Sequence, residues 1–225
     1  MEIFTLSFFA ALLSLVAIDL VLAGDNAVVI AMAARNLPEK VRRRAMLIGT
    51  GGAVVIRALM TMAAVWLLSV PYLQAVGGII LLPIALKLLM PSDKTEDVDA
   101  ADNFWAAVKT IIVADAAMGI DNVLAIAGAS GGSFLLVVIG LLISVPIIIG
   151  GSTIIGKAMD RWPVLVYIGS GILAWTAGSM VMHDSIIGGM IIGAFGGLAV
   201  YAVPSVAVAL ICLTGWLRRS RSCKS

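Results

Sequence analysis

Seven apolar runs dominate the chain, at residues 3–34, 45–68, 70–90, 104–129, 134–156, 162–182 and 186–217. Each is close to or longer than the roughly 20 residues that carry a helix across a bilayer. None alternates polar and apolar positions with the period of two that a membrane barrel requires. The pattern predicts an all-α, polytopic membrane protein with about seven transmembrane helices. Composition agrees, since 61% of the residues are hydrophobic and only 12% charged, and the mean hydropathy is +1.11. A soluble globular domain is thereby excluded.

Charge then orients the spans. Arg35, Lys40, Arg42, Arg43 and Arg44 follow the first run, Lys157 and Arg161 separate the fifth from the sixth, and Arg218, Arg219, Arg221 and Lys224 end the chain. The positive-inside rule assigns all three clusters to the cytoplasm, and seven spans with an outside N-terminus put them there together. The formal net charge of +2 is thus a matter of membrane topology and no sign of a nucleic-acid partner. The long hydrophilic link at 91–102 is acidic and, on this topology, also cytoplasmic. Glu2 stands where a secretory signal would be basic, so the first run is expected to remain in the mature protein. Cys212 and Cys223 make neither a disulfide framework nor a thiolate metal site.

Two runs carry carboxylates in their middles, where an ionised group costs roughly 2.5 to 3.5 kcal/mol on insertion scales. The segments are "DLVLAGDNAVVIA" from Asp19 and "DAAMGIDNVLAIA" from Asp115, an offset of 96 residues. They align Asp19 with Asp115, Asp25 with Asp121 and Asn26 with Asn122. An internal duplication accounts for a recurring D-x5-DN pattern better than chance does in a chain with ten aspartates. Residues 3–90 then form one three-helix repeat and 104–182 a second, with 186–217 as an added seventh helix in a single membrane domain, 1–225. Three crossings being odd, tandem copies must insert in opposite orientations, as in many secondary transporters. Pro71 with Pro163, and Gly77 with Gly169, extend the match into the third spans.

Residues six apart on a regular helix point about 120° away from one another, so Asp19 and Asp25 converge only if the helix breaks. Gly24 permits such a break, and Gly119 precedes the second pair one position earlier. Four carboxylates and two amides near the midplane offer hard oxygen ligands, suited to a divalent cation such as Mn²⁺, Mg²⁺ or Ca²⁺, or to protons. Arg57 and Lys87 are the basic residues able to pair with or gate these acids. They are too few to neutralise four ionised aspartates, although pairing alone is the structural alternative. His183 with Asp184 lies at the outer end of the sixth span, as an interfacial polar pair or as a proton or metal relay. Glycines in "GGII" and in the ladder Gly189, Gly193, Gly197 are expected to permit close helix packing, with Pro204 bending the last span. The chain holds no catalytic triad, metalloprotease helix or phosphate loop, and no enzyme is expected.

The paired D-x5-DN segments, with "RRRA" at Arg42 to Ala45, "YLQAVGG" at Tyr72 to Gly78 and Lys87, resemble the TerC family, more distantly related to the lysine-exporter superfamily. The resemblance covers nearly the whole chain. It implies a seven-helix protein of the bacterial inner membrane that exports Mn²⁺. Manganese comes from that resemblance, whereas the residues themselves reach only a hard cation. Alternating access with Asp19 and Asp115 as central ligands, driven by the proton gradient, is the expected mechanism. A membrane scaffold or metal-loading partner for secreted metalloproteins, without net transport, is the alternative.

Overall fold

A computed structural model of the chain describes residues 5–63, 70–89, 100–130 and 133–222, which form nine helices and no strand. They are α1 (Leu6–Leu22), α2 (Gly24–Ala34), α3 (Glu39–Met62), α4 (Leu73–Leu89), α5 (Ala100–Ala129), α6 (Phe134–Arg161), α7 (Val164–His183), α8 (Ile187–Phe195) and α9 (Ala199–Ser222). Four helices are long and apolar enough to cross a membrane, and six spans result if each of two bent pairs counts as one. The predicted run at 70–90 becomes α4, which is apolar but has 17 residues. That is short of the length of a full straight crossing.

Helix starts are encoded locally. The Thr5 hydroxyl accepts the Phe8 N–H at 3.3 Å, and Ser133 accepts that of Leu136 at 3.4 Å, each satisfying a donor left over by the first turn. Pro38 and Pro163 stand at the N-caps of α3 and α7, where a missing N–H costs nothing.

Two breaks shape the bundle. At Ala23, with φ −96° and ψ 11°, α1 gives way to α2 and the axis turns by 53°. At Gly196 the backbone takes φ +79°, a left-handed conformation that favours glycine, and α8 meets α9 at 104°. The last run is therefore not one straight helix. Its sharp bend lies at Gly196, while Pro204, where a bend was expected, sits inside α9. The glycine ladder behaves differently from the expectation too, because Cβ atoms at Gly189, Gly193 and Gly197 would meet open space.

Close approaches occur elsewhere. α4 packs on α7, α3 on α5, α1 and α2 on α6, and α9 on α7. A Cβ at Gly77 would lie 3.1 Å from Ile120 Cδ1 and 3.3 Å from the Ala117 carbonyl, both on α5. One at Gly169 would lie 2.7 Å from Met32 Sδ and 2.8 Å from Val28 Cγ1, both on α2. Only glycine lets these helices come so near, and in lipid such contact, rather than expulsion of water, holds helices together. Large apolar side chains such as Leu13, Val21, Ile154 and Phe195 point outward, as lipid-facing surface does.

Candidate functional site

A charged centre lies inside the bundle. Asp19 sits on α1 one turn before the break, Asp115 at the midpoint of α5, and Arg57 toward the end of α3. Arg57 donates from Nη1 to Asp19 Oδ1 at 2.7 Å and from Nη2 to Asp115 Oδ1 at 2.5 Å. Exposure is 0% for Asp19, 4% for Arg57 and 8% for Asp115, so neither lipid nor bulk water screens the three charges. The Ser144 hydroxyl of α6 donates to the second oxygen of Asp19. Three helices thus meet at one guanidinium, and α6 joins them through Asp19. Gly119 of α5 faces this guanidinium, and a Cβ there would lie 3.7 Å from Arg57 Nε, in ordinary van der Waals contact.

The break at Ala23 sends the second carboxylate another way. Asp25 falls in the first turn of α2, where a negative charge suits the helix dipole. Its Oδ1 accepts the Asn26 N–H at 3.0 Å, and its Oδ2 accepts the Thr176 hydroxyl of α7 at 3.4 Å. It stays within coulombic range of Arg57 without bonding to it. Asn122 turns back across the bundle and donates from Nδ2 to the Leu22 carbonyl at 3.4 Å, one of the groups freed where α1 ends.

Among the described residues, several buried polar atoms have no protein partner. Both side-chain atoms of Asn26 are in this state, as are Thr50 Oγ1 and Arg57 Nε. A buried amide left unpaired costs roughly 1 to 3 kcal/mol, so an Asn 2% exposed within an apolar cluster calls for a role beyond packing.

Of the predicted site residues, the structure brings together Asp19, Asp115 and Arg57, sets Asn122 at the neighbouring break, and diverts Asp25 toward α7. The Asp121 side chain lies outside the described residues. Among the described residues no three His, Cys, Asp or Glu side chains gather as a ready metal cluster. Lys87 is exposed in the last turn of α4, so it is not enclosed with the aspartates. His183 is exposed, with Nδ1 2.7 Å from the Ser179 carbonyl of its own helix. Asp184, only 4% exposed, accepts backbone N–H groups of Ile186, Ile187 and Ala75. It holds the α7–α8 turn and the start of α4 in place. Ser144 and Thr176 were not anticipated, and their one sequence signal is a hydroxyl inside an otherwise apolar run.

A second polar assembly closes one end of the bundle. Arg42 donates to Asp160 at 2.7 Å and to the Arg35 and Leu37 carbonyls, tying the α2–α3 turn to the end of α6. Burial draws the Arg35 guanidinium below the usual arginine pKa, and the charge of Asp160 offsets part of that. The first two basic clusters therefore share one face.

Fold and centre together define a polytopic helical membrane protein organised around a buried ion-pair bridge. The chain belongs to the TerC family of integral membrane proteins, whose family model matches residues 4–222. It is 51% identical to the membrane protein YjbE of Bacillus subtilis (strain 168) over 174 residues, 77% of this chain and 80% of YjbE. It is 29% identical to YkoY of the same organism over 76% of this chain and 59% of YkoY. The inner membrane protein YoaE of Escherichia coli (strain K12) is 30% identical over 54% of this chain and 27% of its own length. No solved structure matches the chain.

Proposed function

We infer that the protein is a secondary transporter that exports Mn²⁺ from the cytoplasm across the bacterial inner membrane, with Asp19 and Asp115 as its central ligands. The observation that carries this reading is the meeting of Asp19 and Asp115, 96 residues apart in chain, on one buried guanidinium. Isolated carboxylates at this depth are costly, and paired intramembrane charges mark ion and proton pathways. Arg57 occupies the place a transported cation would take, so loading requires the guanidinium to move. Asp25 is the acceptor within electrostatic reach. Asp19, Asp25 and Asp115 against Arg57 leave two negative charges when all are ionised, which one divalent cation neutralises. Carboxylate, hydroxyl and amide oxygens suit a hard ion. Manganese in particular rests on the resemblance to TerC proteins.

The packing supports inverted repeats at 3–90 and 104–182. Gly77, in the third span of one half, packs on the Asp115 helix, and its counterpart Gly169 packs on the Asp19–Asp25 pair of helices. Alternating access would follow from one half rocking against the other. Protons exchanging onto the aspartates as the metal leaves would couple export to the proton gradient. The shared face of Arg42, Arg43, Arg44 and Lys157 supports an outside N-terminus and a cytoplasmic C-terminus.

The pairing of both Arg57 Nη atoms favours one other reading, a scaffold or metal-loading partner in which the bridge only holds helices together. A metal-resolved flux assay with purified protein in liposomes, with and without a pH gradient, separates them. Mn²⁺ flux that the gradient accelerates, and that Asp19→Asn abolishes in protein still inserted and monodisperse, is expected. Mn²⁺ flux indifferent to the gradient removes the coupling, and absence of any divalent flux leaves the scaffold.

A further inference from the structure

A cavity of about 1130 Å³ opens between α3 and α6 at the basic face, and the centre described above makes no use of it. Its two ends differ in chemistry. Lys40, Arg43, Arg44 and Lys157 line the outer end and are exposed, with Glu39 as the opposing charge. Arg42 and Asp160 also border it but are committed to each other, and the remaining Arg42 donors go to backbone carbonyls. Four cations against one carboxylate make this mouth repel a metal ion and attract an anion.

The inner end is apolar, lined by Met46 and Leu47 on α3 and by Val145, Pro146 and Ile149 on α6. From Lys157 down to Val145 the wall runs twelve residues, roughly 18 Å at the helical rise. One leaflet of a bilayer offers about half of a 30 Å hydrocarbon core. The cavity is therefore as deep as one leaflet's acyl layer and positively charged where the headgroups begin. A small soluble anion would use the mouth and leave the apolar floor unmatched.

We propose that this groove is a binding site for one anionic phospholipid, with its phosphate held by Lys40, Arg43, Arg44 and Lys157 and one acyl chain lying along Leu47, Val145, Pro146 and Ile149. Basic pockets between transmembrane helices at the cytoplasmic surface recognise anionic headgroups by this charge pattern. The lipid would bridge α3, which carries Arg57, to α6, which carries Ser144, and so join two of the helices that meet at the centre.

The test uses the full chain purified in a neutral detergent. Native mass spectrometry follows retention of phosphatidylglycerol against phosphatidylethanolamine of the same acyl composition. One phosphatidylglycerol retained in preference is expected, with affinity reduced on the order of a hundredfold in the triple variant Arg43→Gln, Arg44→Gln, Lys157→Gln. The charge-preserving pair Arg43→Lys, Lys157→Arg controls for misfolding and should keep the preference. Leu47→Trp, on an exposed position, narrows the apolar floor with every charge in place and should weaken lipid while leaving inorganic phosphate unaffected. Equal retention of the two lipids, a triple variant that binds as the wild type does, or displacement by inorganic phosphate at comparable concentration each overturns the proposal.

Discussion

The segments from Asp19 and from Asp115 share the D-x5-DN pattern and differ in backbone. The first is broken at Ala23 and turns by 53°, so that Asp25 begins a new helix and faces Thr176. The second runs uninterrupted through α5, with Gly119 beside the Arg57 guanidinium. A one-residue shift of glycine goes with this difference: Gly24 directly precedes its aspartate and begins the new helix after the break at Ala23, whereas Gly119 lies two before Asp121 and faces the Arg57 side chain from α3. The two motifs thus take different backbone paths. One carries a bend with freed carbonyls, and the other an unbroken helix bearing Asp115 and Asn122.

The largest expected effect comes from removing what joins the two segments. Arg57→Gln leaves two buried carboxylates without their partner, and breaking a buried pair from one side costs about 3 to 5 kcal/mol. The purified variant should therefore lose much of its thermal stability, read as a lower midpoint and as early aggregation. A midpoint like that of the wild type would mean that the bridge contributes little and that the segments are held by packing alone.

Next comes an asymmetry between the aspartates. Asp19 is held by Arg57 and Ser144, Asp115 by Arg57. Asp19→Asn should accordingly destabilise more than Asp115→Asn, by roughly 1.5 kcal/mol for a hydrogen bond to a charged group. Ser144→Ala should erase the difference, and a double-mutant cycle that finds no coupling between Ser144 and Asp19 would contradict it. Both asparagine variants should abolish Mn²⁺ flux.

A smaller pair of effects concerns the glycines. Gly24→Ala adds a methyl facing open space and should stay within about 0.5 kcal/mol of the wild type. Gly119→Val presses on Arg57 and should lower stability and flux together. Equal tolerance at both positions would deny that Gly119 serves the guanidinium.

The smallest contrast separates the amides. Asn122→Ala removes one long hydrogen bond to Leu22 and should cost about 1 kcal/mol. Asn26→Ala removes an amide with no protein partner and should be neutral or stabilising while reducing flux. Loss of stability without loss of flux would return Asn26 to packing.

Much of this arrangement was legible in the sequence. Hydropathy marks which residues are in the membrane and roughly how deep, so the helical class, the depth match of Asp19 with Asp115 and the permissive glycine before Asp25 could all be read. Pairing of Arg57 with the acids could be weighed on charge alone. Direction around a helix axis could not. Asp25 turns to Thr176 because the new helix at Gly24 resets its azimuth, and Lys87 faces outward although its span is as apolar as its neighbours. The bend of the last run depends on Gly196 adopting a left-handed φ that neighbouring glycines do not share, which composition cannot distinguish.

The bridge at Arg57 also imposes an order on biogenesis. When α3 leaves the ribosome its guanidinium already has Asp19, made 38 residues earlier, but Asp115 is still 58 residues from being synthesised. Asp19 and Arg57 therefore enter the bilayer as a neutral pair with Asp25 as the one carboxylate in excess, and the second excess charge arrives only with α5. The centre reaches the two negative charges that balance a divalent cation only as the last partner, Asp115, docks, so an incomplete chain carries half of that charge.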